Sequence, residues 1–454
     1  MSKMIGSINS LKNILNNVFS EVSVVGRHQI RISKLCYLSM ILVSLLIFRT
    51  SWAVGLSLDE LISQGLASYP SVLAKQATRE SAKTDLLGAK LKFLPNPSVS
   101  TQRQQVAYNG QPGSSQPATN MTISQPLFLD GGIIAGYNKA DARLSAADFS
   151  LLETREEVSK RIINTYVEWL KAYLKIIALD ESVRLHERFV GLITRRYEQG
   201  VASGSDKDLG TSRLYLAQAE LDTQRSIEGS SLTSLSQLVG EPIQRSKLTD
   251  VIAKPQPLPK RVDGIFTAQM QSVSVQRYQF EAEAAEQEAK EIRAQALPQV
   301  AFQAQRQIGN VYLPGAPGYN MLGLVVSYTP GGGLSNITGS TAAFERADAA
   351  RHQVEVAKRD LADRLNADYN EYEFSQLKKE SLGKSVELSN DISASYDRQY
   401  LVGRKSWLDL MNAVREQAQT KVQLAEAEGS LLGSSRRLQI FINGTASFGA
   451  PNSK

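Results

Sequence analysis

The sequence repeats itself at a fixed distance of 203 residues, and no other feature constrains its fold as strongly. The stretch Tyr400-Leu401-Val402-Gly403-Arg404-Lys405-Ser406-Trp407-Leu408-Asp409 carries Tyr, Gly, Ser and Asp in the order and spacing of Tyr197-Glu198-Gln199-Gly200-Val201-Ala202-Ser203-Gly204-Ser205-Asp206. The register holds elsewhere without a gap: Leu94-Pro95 answers Leu297-Pro298, Gln102-Arg103-Gln104 answers Gln305-Arg306-Gln307, Arg161 and Tyr166 answer Arg364 and Tyr369, and Leu235 answers Leu438. A period kept over so many positions marks a duplicated structural unit. Each copy of the motif follows one long helical pattern and opens another. It therefore reads as the turn of a helical hairpin, with Gly200 and Gly403 at the bends.

Each unit has the same predicted contents. Leu58 to Phe93 reads as helix, with Pro70 breaking or kinking it. Val99–Val106 and Met121–Phe128 read as strands, separated by a Gly/Pro/Ser/Gln-rich loop from Asn109 to Thr119. From about Ile133 to Arg196 one helical pattern runs without an interior proline; Ile162, Tyr166, Trp169, Tyr173 and Ile176 follow the 4-3-4-3 rhythm of a coiled coil. Leu209–Val239 is the returning helix. Pro255, Pro257 and Pro259 mark a linker, after which the programme repeats. The expected organisation is a leader over 1–53, a first repeat over 54–250, a linker over 251–260, a second repeat over 261–445 and a tail over 446–454.

The second-repeat strands alternate clearly: Val300, Phe302 and Ala304 against Ala301, Gln303 and Gln305, then Leu322, Leu324, Val326 and Tyr328 against Gly323, Val325 and Ser327. One apolar and one small or polar face fits a lipid-facing barrel strand with an aqueous interior, and equally a half-buried strand of a soluble sheet. Four strands cannot close a barrel, and an open sheet edge is not tolerated in hydrocarbon. The flanking helices are too long to be the cover of a small soluble sheet, which favours several chains pooling their strands; three chains would supply twelve.

Composition narrows the partners. The net charge is +6, but residues 1–53 hold six basic side chains against Glu21 alone, leaving a net of +1 for the rest. No basic stripe with interleaved aromatics is present, so no nucleic-acid partner is expected. Arg27, Arg31 and Lys34 precede an apolar run from Leu35 to Phe48, and Ser51-Trp52-Ala53 supplies a small-residue exit, the pattern of a signal peptide. Cys36, the single cysteine, lies inside it, so the mature chain would be exported and built without disulfides. His186 and His352 lie in helical runs without ligand-spaced neighbours and read as surface histidines. Gly331-Gly332-Gly333 lacks the Lys-Ser/Thr of a phosphate loop and suits a strand-to-helix turn. No catalytic constellation, metal set or cofactor motif is found, so the chain is not expected to be an enzyme.

The order helix–strand–strand–long helix–hairpin, duplicated, with Tyr-x-x-Gly…Asp at the turns, resembles the TolC family of outer-membrane efflux and secretion channels over essentially all of 54–445. The resemblance implies a mainly α fold with transmembrane β: three protomers forming a twelve-stranded β-barrel, four strands each, on a long α-helical coiled-coil barrel in the periplasm. It implies a homotrimer in outer-membrane lipid, with a periplasmic adaptor and an inner-membrane transporter of the ABC type as partners. Carried over residue by residue, Tyr400 matches the tyrosine that ties the inner hairpin shut, and Asp206 matches its carboxylate partner. Tyr197 is the first-repeat counterpart of that tyrosine. Lys405 stands where an arginine often makes a second tie, and a lysine cannot reproduce a bidentate guanidinium link. Asp409 matches a constriction-lining aspartate. Its companion one turn on is Asn412 rather than Asp, which makes the implied ring less acidic. The plainer reading of the same residues is that Tyr197 and Tyr400 pack the helix junctions while Asp206 and Asp409 cap the next helices. Ser406-Trp407-Leu408-Asp409 looks like the channels serving type I secretion of large adhesins. Drug or metal efflux is the alternative cargo. A periplasmic coiled-coil adaptor is the alternative class, although an adaptor is expected to carry a β-rich module and no duplicated alternating strands.

Overall fold

The computed structural model describes residues 56–104, 116–127, 131–248, 258–309, 317–329, 332 and 335–444. The expected leader, residues 251–257 of the linker and the tail lie outside them. The first helix among the described residues is α1 (Leu58–Ser68), closed at its start by a reciprocal cap in which Ser57 Oγ accepts from the Glu60 amide and Glu60 accepts from the Ser57 amide. Pro70 then opens α2 (Pro70–Leu91) at its first position, where a missing N–H costs nothing. Of the two expected effects of Pro70, a break or a kink, it is the break: the segment is two helices. After β1 (Asn96–Gln104) and β2 (Gln116–Leu127) comes α3 (Gly132–Glu198), whose 67 residues span about 100 Å at 1.5 Å per residue. The hairpin partner α4 (Gly204–Val239) completes the first half.

The second half runs α5 (Arg261–Gln271), α6 (Val273–Gln295), β3 (Gln299–Ile308), β4 (Asn320–Ser327), α7 (Ser335–Leu401) and α8 (Trp407–Asn443). Leu58 and Arg261, Pro70 and Val273, Asn96 and Gln299, Gly132 and Ser335, and Gly204 and Trp407 each start matching elements at the 203-residue offset. The long helices α3 and α7 both have 67 residues.

Three starts differ from expectation. Strand β1 begins at Asn96 rather than Val99, because Asn96, Pro97 and Ser98 pair with Ser124, Ile123 and Thr122. Gln116–Thr119, expected in a loop, belong to β2, because Gln104, Arg103, Gln102 and Thr101 pair with them and extend the hairpin. Helix α4 starts at Gly204 rather than Leu209, because the Ser203 hydroxyl accepts from the Asp206 amide and starts the first turn before any apolar residue appears.

Packing between helices follows their lengths. Strand-proximal α2 and α6 lie along α3, and α6 also lies along α7; tip-proximal α4 lies along α3, and α8 along both α3 and α7. The side-by-side order is thus α2–α3–α6–α7 near the strands and α4–α3–α8–α7 near the hairpin turns. The main core forms where these meet: Leu58, Leu61 and Ile62 of α1 pack on Ile162, Ile163, Tyr166 and Trp169 of α3, and on Leu235 and Leu238 of α4. Of the 4-3-4-3 positions Ile162, Tyr166, Trp169 and Ile176 are buried and Tyr173 is half-buried. His186 is a correction: it is 3% exposed, not a surface residue. It lies on the buried face of α3, at heptad spacing after Ile176, Leu179 and Val183 and before Ile193.

The four strands form one antiparallel sheet in the order β1-β2-β3-β4, so β1 and β4 are open edges within the chain. Register separates the two faces. Pro97, Val99, Met121, Ile123, Leu127, Val300, Phe302, Ala304, Leu322, Leu324 and Val326 share one face; Asn96, Ser98, Thr122, Ser124, Gln299, Gln303 and Gln305 share the other. The apolar face is uncovered, with Leu322 71% and Val99 69% exposed.

Candidate functional site: the hairpin turns

The two turns lie at the ends of α3 and α7 farthest from the sheet, and each is built the same way. Gly200 (φ 75°) and Gly403 (φ 74°) take the left-handed conformation that ends a helix, with Val201 N donating to Arg196 O and Arg404 N to Gln399 O, both at 2.8 Å. The next helices start at Ser203 and Ser406. Each hydroxyl accepts from the amide three residues on, at 3.1 Å in both copies. Asp409 returns the contact to the Ser406 amide, and Asp206 accepts from the Ser203 hydroxyl at 2.9 Å. The Ser406 hydrogen bonds hold the Asp409 carboxyl below its usual range, and the nearby Lys405 charge adds to this.

The sequence-matched gate residues are distributed around this frame. Tyr400 is buried at 5% exposure among Phe189, Ile193, Trp407, Leu410, Met411 and Val414. Its ring lies 5.5 Å from that of Trp407, and the Arg196 guanidinium sits 4.7 Å above it. Tyr197 is 44% exposed, with Lys207 Nζ 5.2 Å from its ring. Lys405 Nζ lies 4.3 Å over the Tyr396 ring. Asp409 is half-buried, and Asn412, one turn on, is exposed. Within one chain Tyr400 and Asp206 are not hydrogen-bonded to each other: Asp206 serves the cap and Tyr400 the aromatic cluster.

The residues that sequence reasoning passed over as structure are those that join the two hairpins. Trp407, 5% exposed, reaches from the start of α8 to α4, where a Cβ added at Gly210 would stand 2.8 Å from its Cζ2. Phe189 meets Trp407 edge-on with ring centroids 6.4 Å apart. Arg188 pairs with Asp397 at 2.5 Å, tying α3 to α7. One signal was available in the sequence: at the 203-residue offset Trp407 answers Gly204, the largest side chain opposite the smallest.

A duplicated chain with two 67-residue helices, two capped hairpin turns and a two-faced, open-edged sheet is a protomer of a helical channel-tunnel. The outer membrane efflux protein family matches residues 61–241 and again 265–444, and the chain belongs to that family. Solved structures share its fold. The outer membrane protein VceC from Vibrio cholerae is 18% identical with a TM-score of 0.72, covering 85% of this chain and 96% of that one. The Campylobacter jejuni CmeC outer membrane channel is 14% identical with a TM-score of 0.66, covering 87% of each chain. The Neisseria gonorrhoeae MtrE outer membrane channel, in its open state, is 14% identical with a TM-score of 0.60, covering 88% of this chain and 93% of that one. No curated protein sequence matches the chain. The chain is thus an outer-membrane protein whose helices extend into the periplasm. Members of the family work as homotrimers with periplasmic adaptors and inner-membrane transporters.

Proposed function

We propose that three copies of this chain form a passive conduit from the periplasm across the outer membrane, gated at the hairpin turns, and that it serves type I secretion of large protein cargo. The observation that carries the conduit is the sheet. Its apolar face is bare, its other face is polar, and both edges are unpaired within the chain. No described helix is long and apolar enough to cross a membrane. Hydrocarbon tolerates strands only when every edge is paired, and three four-stranded sheets joined edge to edge give a closed twelve-stranded barrel. The polar face then lines the channel.

Gating at the turns is supported by construction. Tyr400 and Trp407 fix the second turn against α3 and α4, while Leu401, Val402 and Leu408 remain exposed there for contacts with other chains. A hydrogen bond from the Tyr400 hydroxyl to the Asp206 carboxylate in the closed tip contributes about 1.5–3 kcal/mol, enough for three such links, one per copy, to hold a tip closed yet yield to an adaptor. Asp409, held ionised by its cap, supplies negative charge at the entrance, and Asn412 supplies none. The protein cargo, the ABC-type transporter and the wider adaptor set rest on the Ser406-Trp407-Leu408-Asp409 resemblance.

Two experiments test this reading. Purified protein in a planar bilayer is expected to give discrete, long-lived conductance steps that rise with Tyr400→Phe; a monomer that never inserts overturns the conduit. A deletion strain is expected to lose an extracellular protein while keeping its tolerance to drugs and metals. The reverse phenotype assigns the channel to drug or metal efflux.

A further inference from the structure

The strand-bearing segments are almost free of charge. Residues 94–129 contain one charged side chain, Arg103, and residues 294–344 contain one, Arg306; neither segment has a single Asp or Glu. The two arginines are 203 residues apart, so they occupy the same place in the two hairpins. Register puts both on the apolar face, with Arg103 in line with Val99 along β1 and Arg306 in line with Phe302 along β3, and both are exposed. That face is mostly apolar, with Thr101, Thr119, Gln125 and Asn320 as its uncharged polar residues, and the arginines are its only charges among the described residues although the polar face was available one residue away.

Their height resolves the cost. Helices α2 and α6 enter the sheet at its periplasmic end, so β1 and β3 both run outward and the arginines lie near their outer ends. Arg306 is six residues beyond Val300, or ~20 Å along the strand. An arginine on the lipid side of a barrel costs ~2–4 kcal/mol at the midplane and ~0–1 kcal/mol near the interface. Between Arg306 and the midplane the same face carries a shallow depression of about 480 Å³, lined by Val99, Met121, Ile123, Ala304 and Leu322, with Asn320 beside Arg306. A planar guanidinium with no carboxylate in its segment is suited to bidentate phosphate recognition, and the depression beneath it suits an alkyl chain.

We propose that Arg306 and Arg103 bind the phosphate groups of the phosphorylated glycolipid that forms the outer leaflet, with one acyl chain of that lipid lying in the depression over Ala304. A closed trimer then presents a belt of arginines at one height, two from each chain, that fixes how deep the barrel sits. This rests on the reading that the strands cross the outer membrane as a trimer.

The test is native mass spectrometry of the purified full-length trimer in detergent, titrated with diphosphoryl lipid A, its dephosphorylated counterpart, phosphatidylglycerol or inorganic phosphate. Diphosphoryl lipid A is expected to stay bound, Arg306→Gln to weaken retention about tenfold and Arg103→Gln to add to the loss. Ala304→Phe, which fills the depression and keeps both arginines, is expected to weaken it as well. Equal retention by the wild type and the double arginine variant, equal retention of the dephosphorylated lipid, or a preference for phosphatidylglycerol overturns the proposal. The trimer mass in the same spectrum reports assembly, and Ala304→Phe decides if the arginine variants do not assemble. A protein that yields no membrane-inserted trimer sinks the conduit itself, whereas an inserting trimer that keeps no lipid sinks only the arginine belt.

Discussion

The two hairpin turns share one backbone design and differ in what they do with it. Gly200 and Gly403 bend alike, and Ser203 and Ser406 cap alike. Yet Tyr197 is half-exposed over a lysine, while its counterpart Tyr400 is buried in an aromatic cluster. Two things differ: α8 packs against both α3 and α7, so Phe189 and Ile193 of α3 help to cover Tyr400, and position 204 or 407 carries Gly in one turn and Trp in the other. Gly204 offers Tyr197 nothing to pack on, whereas Trp407 covers Tyr400 and continues across to Gly210 of the first hairpin. The burial of Trp407 leaves its indole N–H without a hydrogen-bond partner among the described residues. That loss costs roughly 1–3 kcal/mol, less than the ~3–5 kcal/mol given up when a buried Trp is truncated to Ala, so packing prevails. The two turns are thus equal in backbone, and the second is the anchored one through Trp407 together with Phe189 and Ile193 of α3.

The largest way to break this asymmetry is Trp407→Ala. It is expected to destabilise the tip by ~3–5 kcal/mol in chemical denaturation followed by hydrogen exchange at α8, whereas Tyr197→Ala stays within ~0.5 kcal/mol. Equal losses at the two positions would mean that the second turn is not anchored by its aromatic cluster. A smaller effect comes from the opposite wall. Gly210→Val drives a side chain into the Trp407 ring and should cost ~1–3 kcal/mol, with most of that loss abolished in a Trp407→Ala background if the contact is direct.

The smallest expected effect sharpens the comparison further up the bundle, where the first half has His186 and the second has Ser389. Burial lowers the His186 pKa below its ordinary value of 6.5, and the positive charge of Arg213 on α4 acts in the same direction, against the Ser182 carbonyl that accepts from its ring. The folded state thus binds this proton less readily than the unfolded chain. His186 carries no penalty above about pH 6.5, and stability falls as pH drops below it toward the lowered folded value. Denaturation midpoints at pH 7.5 and 5.5 should differ less in His186→Gln than in the wild type; an unchanged difference would remove His186 as the source.

Much of this was legible in the residues. The 203-residue register is a property of the sequence, and the starts of all six matching element pairs obey it except β2 and β4, which are one residue out of step. Alternation along Leu322–Tyr328 announced a two-faced strand, and the run from Ile133 without proline announced a helix long enough to dwarf the sheet. The gate residues were legible only as positions. Tyr197 and Tyr400 look identical in sequence, and so do the caps at Asp206 and Asp409. The burial of His186 was legible in its 3-4-3 spacing after Ile176, Leu179 and Val183, whereas the start of β2 at Gln116 was hidden because Gly, Pro and Ser read as loop until a partner strand supplies their hydrogen bonds.

What the sequence by itself determined was local and periodic: the repeat, the helices and their turns, the two faces of each strand, and an unbroken charge desert around Arg103 and Arg306. Such features follow from the conformational preferences of neighbouring residues and need no distant contact. Only the tertiary structure decided that β2 pairs with β3 to join the two halves in one sheet, that both arginines share its apolar face, and that Trp407 lies on Gly210. Those contacts connect residues up to about two hundred positions apart, and the closure entropy of such loops is repaid only when the whole bundle packs.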